Sequence, residues 1–198
     1  CDMGSMPHEY PGYRHVSDEA TRALFESAWG RPLSNDPGLR IPNMLDLAGE
    51  GKFKALYCVG EDIAQSDPNT QHVTHALESM ECVIVQDLFL NETRPPIPSV
   101  DASVVPETIS TELNISGSFT NAERRISPVR RVMAPKNIGK PELKETGMED
   151  WEITAKLSAA LGYDMKYSHA SEIMDEIAAL TPTFKGVSFA KLDELGSI

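Results

Sequence analysis

Three carboxylates, a glycine and an amide fall at the ends of two predicted strands. The chain 53–87, FKALYCVGEDIAQSDPNTQHVTHALESMECVIVQD, reads as strand, loop, helix, strand. Residues 53–59 are rich in aromatic, β-branched and other apolar side chains, and they stop at Gly60. Gly60, Glu61 and Asp62 open a polar loop that runs to Asp67. Asp67-Pro68 carries the signature of a helix start, an acid at N-cap and a proline at N1. His72, Val73, Ala76 and Leu77 then recur at helical spacing. Residues 82–85 form an unbroken apolar run, as expected of a strand covered on both faces, followed by Gln86 and Asp87. Two strands joined by such a helix are expected to be parallel, and ligands of parallel sheets gather outside the carboxyl ends of the strands. One rim should therefore present Gly60, Glu61, Asp62, Gln86 and Asp87. It should lie beside a helix N-terminus after Asp67 that suits phosphate. The plainer alternative is a polar loop rim without a ligand.

The only basic cluster is Arg124, Arg125, Arg130, Arg131 and Lys136. It could meet an anion such as pyrophosphate. A solvated strand edge guarded by charge is the plainer reading. His72 and His75 lie three apart on one predicted helix, but no CxxC or third ligand accompanies them, so they read as solvated helix histidines and no metal site is expected. Cys58 and Cys82 fall in the two predicted strands and read as buried thiols, and the odd count of three cysteines without framework spacing fits a reducing compartment. The Asn91-Glu92-Thr93 sequon reads as a coincidence.

The elements that must position these groups follow from pattern. The 198 residues include 40% hydrophobic ones, enough for a buried core. A formal charge of −12 argues against a nucleic-acid partner or an anionic membrane surface. No apolar run approaches the roughly 20 residues that span a bilayer, and the start of the chain has no signal-peptide pattern. Residues 1–16 read as an extended loop. Ser17 or Asp18 caps a helix whose apolar face would be Leu24, Phe25, Ala28 and Trp29, ended by Gly30. A short helix follows over 43–48. Residues 94–100 hold three prolines and cannot form an interior strand. A short strand over 103–105, a loop over 107–118 and an edge strand over 126–133 complete the middle. Glu149-Asp150 open a helix with Ile153, Leu157, Ala160 and Leu161 facing inward, and Ser171 caps another. The expected organisation is an N-terminal part, 1–52, a βαβ half-domain, 53–118, with an irregular insert over 94–116, and a basic turn with C-terminal helices, 119–198.

Taken together, GEDIAQSDPNTQHVTHALES, VIVQDLFLNET, GSFTNAERRISPVRR, EDWEI and SEIMDEIAALTPTF, with CDMG and YPGY before them, resemble one family. They look like an internal segment of the catalytic (alpha) subunit of molybdenum- or tungsten-dependent formate dehydrogenase, within the molybdopterin oxidoreductase (DMSO reductase) family. The stretch 94–116 departs from that family's pattern. The resemblance implies an α/β fold, a partial Rossmann-like parallel sheet flanked by helices with a helical C-terminal part. It implies an oxidoreductase that interconverts formate and carbon dioxide with a bis-molybdopterin guanine dinucleotide carrying Mo or W, and an iron–sulfur cluster. The family's cluster cysteines, metal ligand and active-site arginine lie upstream, so no catalytic residue is expected in this chain and the chain alone should be inactive. The implied partners are the remainder of the catalytic subunit, electron-transfer subunits and formate, in the cytoplasm. The cofactor-binding candidates are Gly60, Glu61, Asp62, Asp67, Gln86 and Asp87, with Arg124 of NAER and Asp150 of EDWEI. The alternative is a catalytically silent α/β module that binds a nucleotide or a partner.

Overall fold

The computed structural model describes residues 6–87, 93, 101–106, 117–129 and 149–198, with backbone only for 101–106. In chain order the elements are β1 (Glu9–Tyr10), β2 (Arg14–His15), α1 (Glu19–Trp29), α2 (Ile41–Gly49), β3 (Ala55–Val59), α3 (Ile63–Ser66) and α4 (Thr70–Ser79). Then come β4 (Cys82–Asp87), β5 (Asp101–Pro106), β6 (Gly117–Thr120), β7 (Ile126–Val129), α5 (Asp150–Ala160), α6 (Ala170–Leu180), a 3-10 turn at Pro182–Phe184 and α7 (Phe189–Leu195). Residues 94–100 and 107–116, with Arg130, Arg131 and Lys136, lie outside the described residues, as does the end of the strand expected over 126–133.

The chain divides into two compact units. One comprises Leu39–Thr111 and Met133–Asp150, the other Cys1–Gly38, Glu112–Val132 and Trp151–Ile198. The first holds a parallel sheet in the order β3-β4-β5. The expected parallel pair is there, with Val59 opposite Gln86. β5 runs parallel to β4 on its other side and is longer than the strand expected over 103–105. α2 begins at Ile41, so Pro42 is its second residue. Leu45 and Ala48 of α2 pack with Val73, Ala76 and Leu77 of α4 on Val83 and Val85 of β4. Fully burying each of the leucine and valine side chains contributes about 1.5–3 kcal/mol. Truncating Leu77 to alanine should cost about 2–5 kcal/mol.

Two expectations for this unit are corrected. Cys82 and Ile84 are only half-buried, alternating with buried Val83 and Val85, so the helices cover one face of β4 rather than both. The loop after Gly60 contains a helical turn, α3, and α4 is capped by Asn69 rather than by Asp67. The Asn69 side chain accepts from the His72 N–H. Asp67 accepts from the Asn69 N–H at 2.8 Å and so organises the turn before the helix.

In the other unit, Asp18 caps α1 by accepting from the Ala20 N–H, and Gly30 ends it in the left-handed region at φ 64°. The buried face is Thr21 and Phe25 with half-buried Trp29; Leu24 and Ala28 are exposed, contrary to the expected apolar face. Residues 9–15 form a small antiparallel hairpin where a loop is expected. β6 and β7 form a second hairpin, so Gly117 and Ser118 belong to a strand rather than to a loop. On α5 only Ile153 is buried, Leu157 is half-buried, Ala160 is exposed and Leu161 is 77% exposed. α6 is capped by His169, whose ring accepts from the Ser171 N–H, rather than by Ser171. Ile126 of β7, Met174 of α6 and Leu192 of α7 share one core with Val187.

Candidate functional site

The ends of β3 and β4 are fixed to each other by backbone. Val59 lies opposite Gln86, and the Gly60 N–H donates to the Gln86 carbonyl at 2.8 Å. Gly60 has φ 61° and open space where a side chain would begin, so its conformation, not crowding, calls for glycine. Glu61 follows, exposed, with its carboxylate accepting from the Ser66 hydroxyl. Asp62 is half-buried, and its Oδ1 accepts from the Thr93 hydroxyl at 2.9 Å.

Gln86 is 0% exposed. Its amide oxygen accepts from the Tyr57 hydroxyl, and its Nε2 donates to Asp150 Oδ1 at 3.1 Å. A buried amide is costly unless satisfied, and here both of its ends have partners. Gln86 therefore braces the rim and orients Asp150, the first residue of α5. Asp87, next in the strand, is half-buried where β4 leaves the core.

The electrostatics of this rim are anionic. Burial, then the carboxylates of Glu61, Asp87 and Asp62, push the Cys58 thiol up to about 11. The Lys54–Glu81 pair lies at the opposite end of the strands, 2.6 Å apart. A carboxylate rim of this kind suits a ligand edge that presents adjacent N–H donors. Guanine does so with N1–H and its exocyclic amine, and the rim's carboxylate oxygens are acceptors of the kind that edge calls for. Among the described residues Gly60, Glu61, Asp62, Gln86 and Asp87, the rim offers no cation to a diphosphate. The N-terminus of α4 is partly occupied as well, since Asp67 and Asn69 take the Asn69 and His72 amides.

Of the residues singled out from sequence, Gly60, Glu61, Asp62, Asp67, Gln86, Asp87 and Asp150 share this unit. Arg124 belongs to the other unit, exposed, with φ 62°, in the turn between β6 and β7. Tyr57 and Thr93 are the additions. Thr93 stands in the stretch that reads as a glycosylation sequon, six residues past Asp87. His72 Nε2 lies 3.2 Å from Asp46 Oδ1, and no group of three or more His, Cys, Asp or Glu able to hold a metal ion occurs among the described residues. None of the candidates lines the cavity of about 730 Å³ in the other unit, where Glu176 accepts from Trp29 Nε1 and the Tyr167 hydroxyl. Among the described residues no helix is long and apolar enough to cross a membrane.

Residues 2–160 match the family model of molybdopterin oxidoreductases. The chain is 39% identical over 193 residues to a putative formate dehydrogenase of Bacillus subtilis, covering 98% of this chain and 18% of that protein. It is 37% identical to formate dehydrogenase H of Escherichia coli, covering 100% of this chain and 26% of the relative. It is also 37% identical to a formate dehydrogenase subunit alpha of Methanocaldococcus jannaschii, covering 97% and 26%. The chain thus spans about a fifth to a quarter of the length of these relatives. Its fold is similar to that of acetylene hydratase from Pelobacter acetylenicus, with a TM-score of 0.60 at 14% identity over 92% of this chain and 24% of that one. With the family model spanning most of its length, the chain belongs to the molybdopterin oxidoreductase family.

Proposed function

We propose that this chain is the cofactor-holding portion of a formate dehydrogenase catalytic subunit. It binds the guanine end of a bis-molybdopterin guanine dinucleotide at the rim formed by β3 and β4. The observation that carries this reading is the parallel pairing of β3 with β4, which sets Val59 opposite Gln86 and so brings the ends that carry Glu61, Asp62 and Asp87 to one rim, beside a left-handed Gly60. Asp87 accepts from guanine N1–H and the exocyclic amine, Gly60 lets the base approach backbone, and Gln86 with Asp150 keeps the rim rigid. The bound Mo or W centre supplies the interconversion of formate and carbon dioxide. Its metal ligand and the iron–sulfur cluster belong to the remainder of the subunit, which acts in the cytoplasm with electron-transfer subunits. The test is equilibrium binding of GDP and ADP to the chain, read by calorimetry. GDP binding at least tenfold tighter than ADP is expected, since a mismatched edge loses charge-assisted hydrogen bonds of about 1.5–3 kcal/mol. Equal affinities, or none, would overturn the reading. GDP selectivity without Mo or W in the intact polypeptide would favour a silent nucleotide-binding module.

A further inference from the structure

Asp62 occupies the N-cap of α3, where an aspartate ordinarily accepts from an amide of the first turn. It makes no such bond. Its Oδ1 accepts instead from Thr93 Oγ1 at 2.9 Å, and that same oxygen receives the Ala64 N–H, the second amide of α3, at 3.5 Å. Thr93 is 0% exposed. A hydroxyl carries one proton and two lone pairs, so one oxygen serves the helix amide and the carboxylate together. Thr93 thus stands in for the absent cap and, from 31 residues away, ties down the side chain that would otherwise provide it.

We propose that Thr93 is a positioning residue of the rim: by taking the Ala64 amide itself, its hydroxyl releases Asp62 from capping α3 and sets the direction of the Asp62 carboxylate. The consequence for ligand binding rests on the reading of this rim as a guanine site. Without the hydroxyl, Asp62 has a competing partner close by, the amides of its own helix. Turning to them removes the carboxylate from the rim and restores the cap. Loss of the hydroxyl should therefore weaken binding while leaving the fold nearly as stable, the reverse of what a purely structural threonine gives.

The experiment titrates the 198-residue chain and its Thr93→Val, Thr93→Ser, Asp62→Ala and Asp62→Ala/Thr93→Val variants with GDP, and with ADP as control. Amide exchange at Ala64 is followed in the same samples. Thr93→Val should weaken GDP binding roughly tenfold and Thr93→Ser by about twofold at most, the range of one hydrogen bond to a charged group. In the Asp62→Ala background, Thr93→Val should weaken GDP binding no further. Protection at Ala64 should survive either single change and fall only in the double variant. Wild-type GDP affinity in Thr93→Val, or an equal loss in the Asp62→Ala background, overturns the proposal. So does loss of Ala64 protection, or of folding, in Thr93→Val alone, because Asp62 is then not competing for the cap. If the wild-type chain does not prefer GDP to ADP, the guanine reading fails, and the exchange pattern at Ala64 decides the positioning role by itself.

Discussion

Gln86 Nε2 donates to Asp150 Oδ1 across 3.1 Å, which ties the end of β4 to Asp150 within the same unit. The Gln86 oxygen meanwhile accepts from Tyr57 on the neighbouring strand. Replacing Gln86 by leucine keeps most of the volume but deprives both neighbours of this contact. The expected cost is about 1–3 kcal/mol, the penalty for removing one partner of a buried polar pair. A urea titration of the variant should show a lower midpoint with an unchanged slope. A midpoint equal to wild type would mean that the amide is a bystander.

Asp87 stands half-buried where β4 leaves the core, on the rim beside Gly60. Asp87→Ala should lower GDP affinity by roughly tenfold or more and leave weak ADP binding as it was, since only the guanine edge offers two adjacent donors. If Asp87 merely caps the following turn, the change costs about 1 kcal/mol of stability and nothing in binding. Calorimetry and a melting curve on one preparation separate the two outcomes. Unchanged GDP affinity with a lowered melting temperature would assign Asp87 to structure.

The β3-helix-β4 unit is legible in sequence because its signals are local. An apolar run ends at Gly60, a helical repeat follows, and a second apolar run ends at Gln86 and Asp87. The rim then follows from parallel pairing alone. The start of α4 is harder, because Asp67 and Asn69 both have capping side chains and flank Pro68. Pro68 lies before the helix rather than inside it, and Asn69 takes the amide. Leu161 fits the apolar repeat of α5 yet is 77% exposed, because the helix ends before it and the chain turns at Gly162, φ 87°. Tyr57 and Thr93 were not legible at all. Their contacts with Gln86 and Asp62 span 29 and 31 residues, and no periodic pattern connects partners so far apart.

Gly12 and Thr181 provide a test of packing far from the rim. Gly12 has φ 85°, and a Cβ built there would lie 2.6 Å from Thr181 Cγ2. Gly12→Ala therefore combines left-handed strain of about 1–3 kcal/mol with a steric clash. Thr181 is 1% exposed, and its hydroxyl has no hydrogen-bond partner among the described residues. Thr181→Val keeps the shape and removes that buried hydroxyl, so stability should hold or rise by about 1 kcal/mol. Thr181→Ser, which deletes the methyl, should recover the steric part of the Gly12→Ala loss and none of the backbone part. Thermal unfolding of the three single variants and the Gly12→Ala/Thr181→Ser pair reads all of these. Strict additivity in the pair would show that the two residues do not press on each other.

Cys58 reports on the rim without any ligand. Burial and the carboxylates of Glu61, Asp87 and Asp62 push its thiol up to about 11 in the folded chain, while its Sγ donates to the Glu61 carbonyl at 3.2 Å. Alkylation proceeds through the thiolate. At pH 9 the folded chain should hold on the order of a hundredfold less thiolate at Cys58 than an ordinary cysteine does. The rate should climb steeply toward pH 11, with the urea-unfolded chain as the fast reference. The same shift acts on stability. The unfolded chain gives up this proton first, so the stabilisation from the protonated thiol is complete below the ordinary thiol value and is lost as pH rises from there through about 11. Asp87→Asn removes one of the repelling charges. It should lower the folded thiol value and speed alkylation at fixed pH, even though asparagine is nearly the same size. Peptide-resolved mass spectrometry after timed iodoacetamide quenching distinguishes Cys58 from half-buried Cys82. If Asp87→Asn leaves the Cys58 rate unchanged, the Asp87 carboxylate does not face β3, and the shared rim on which the guanine site depends is not formed.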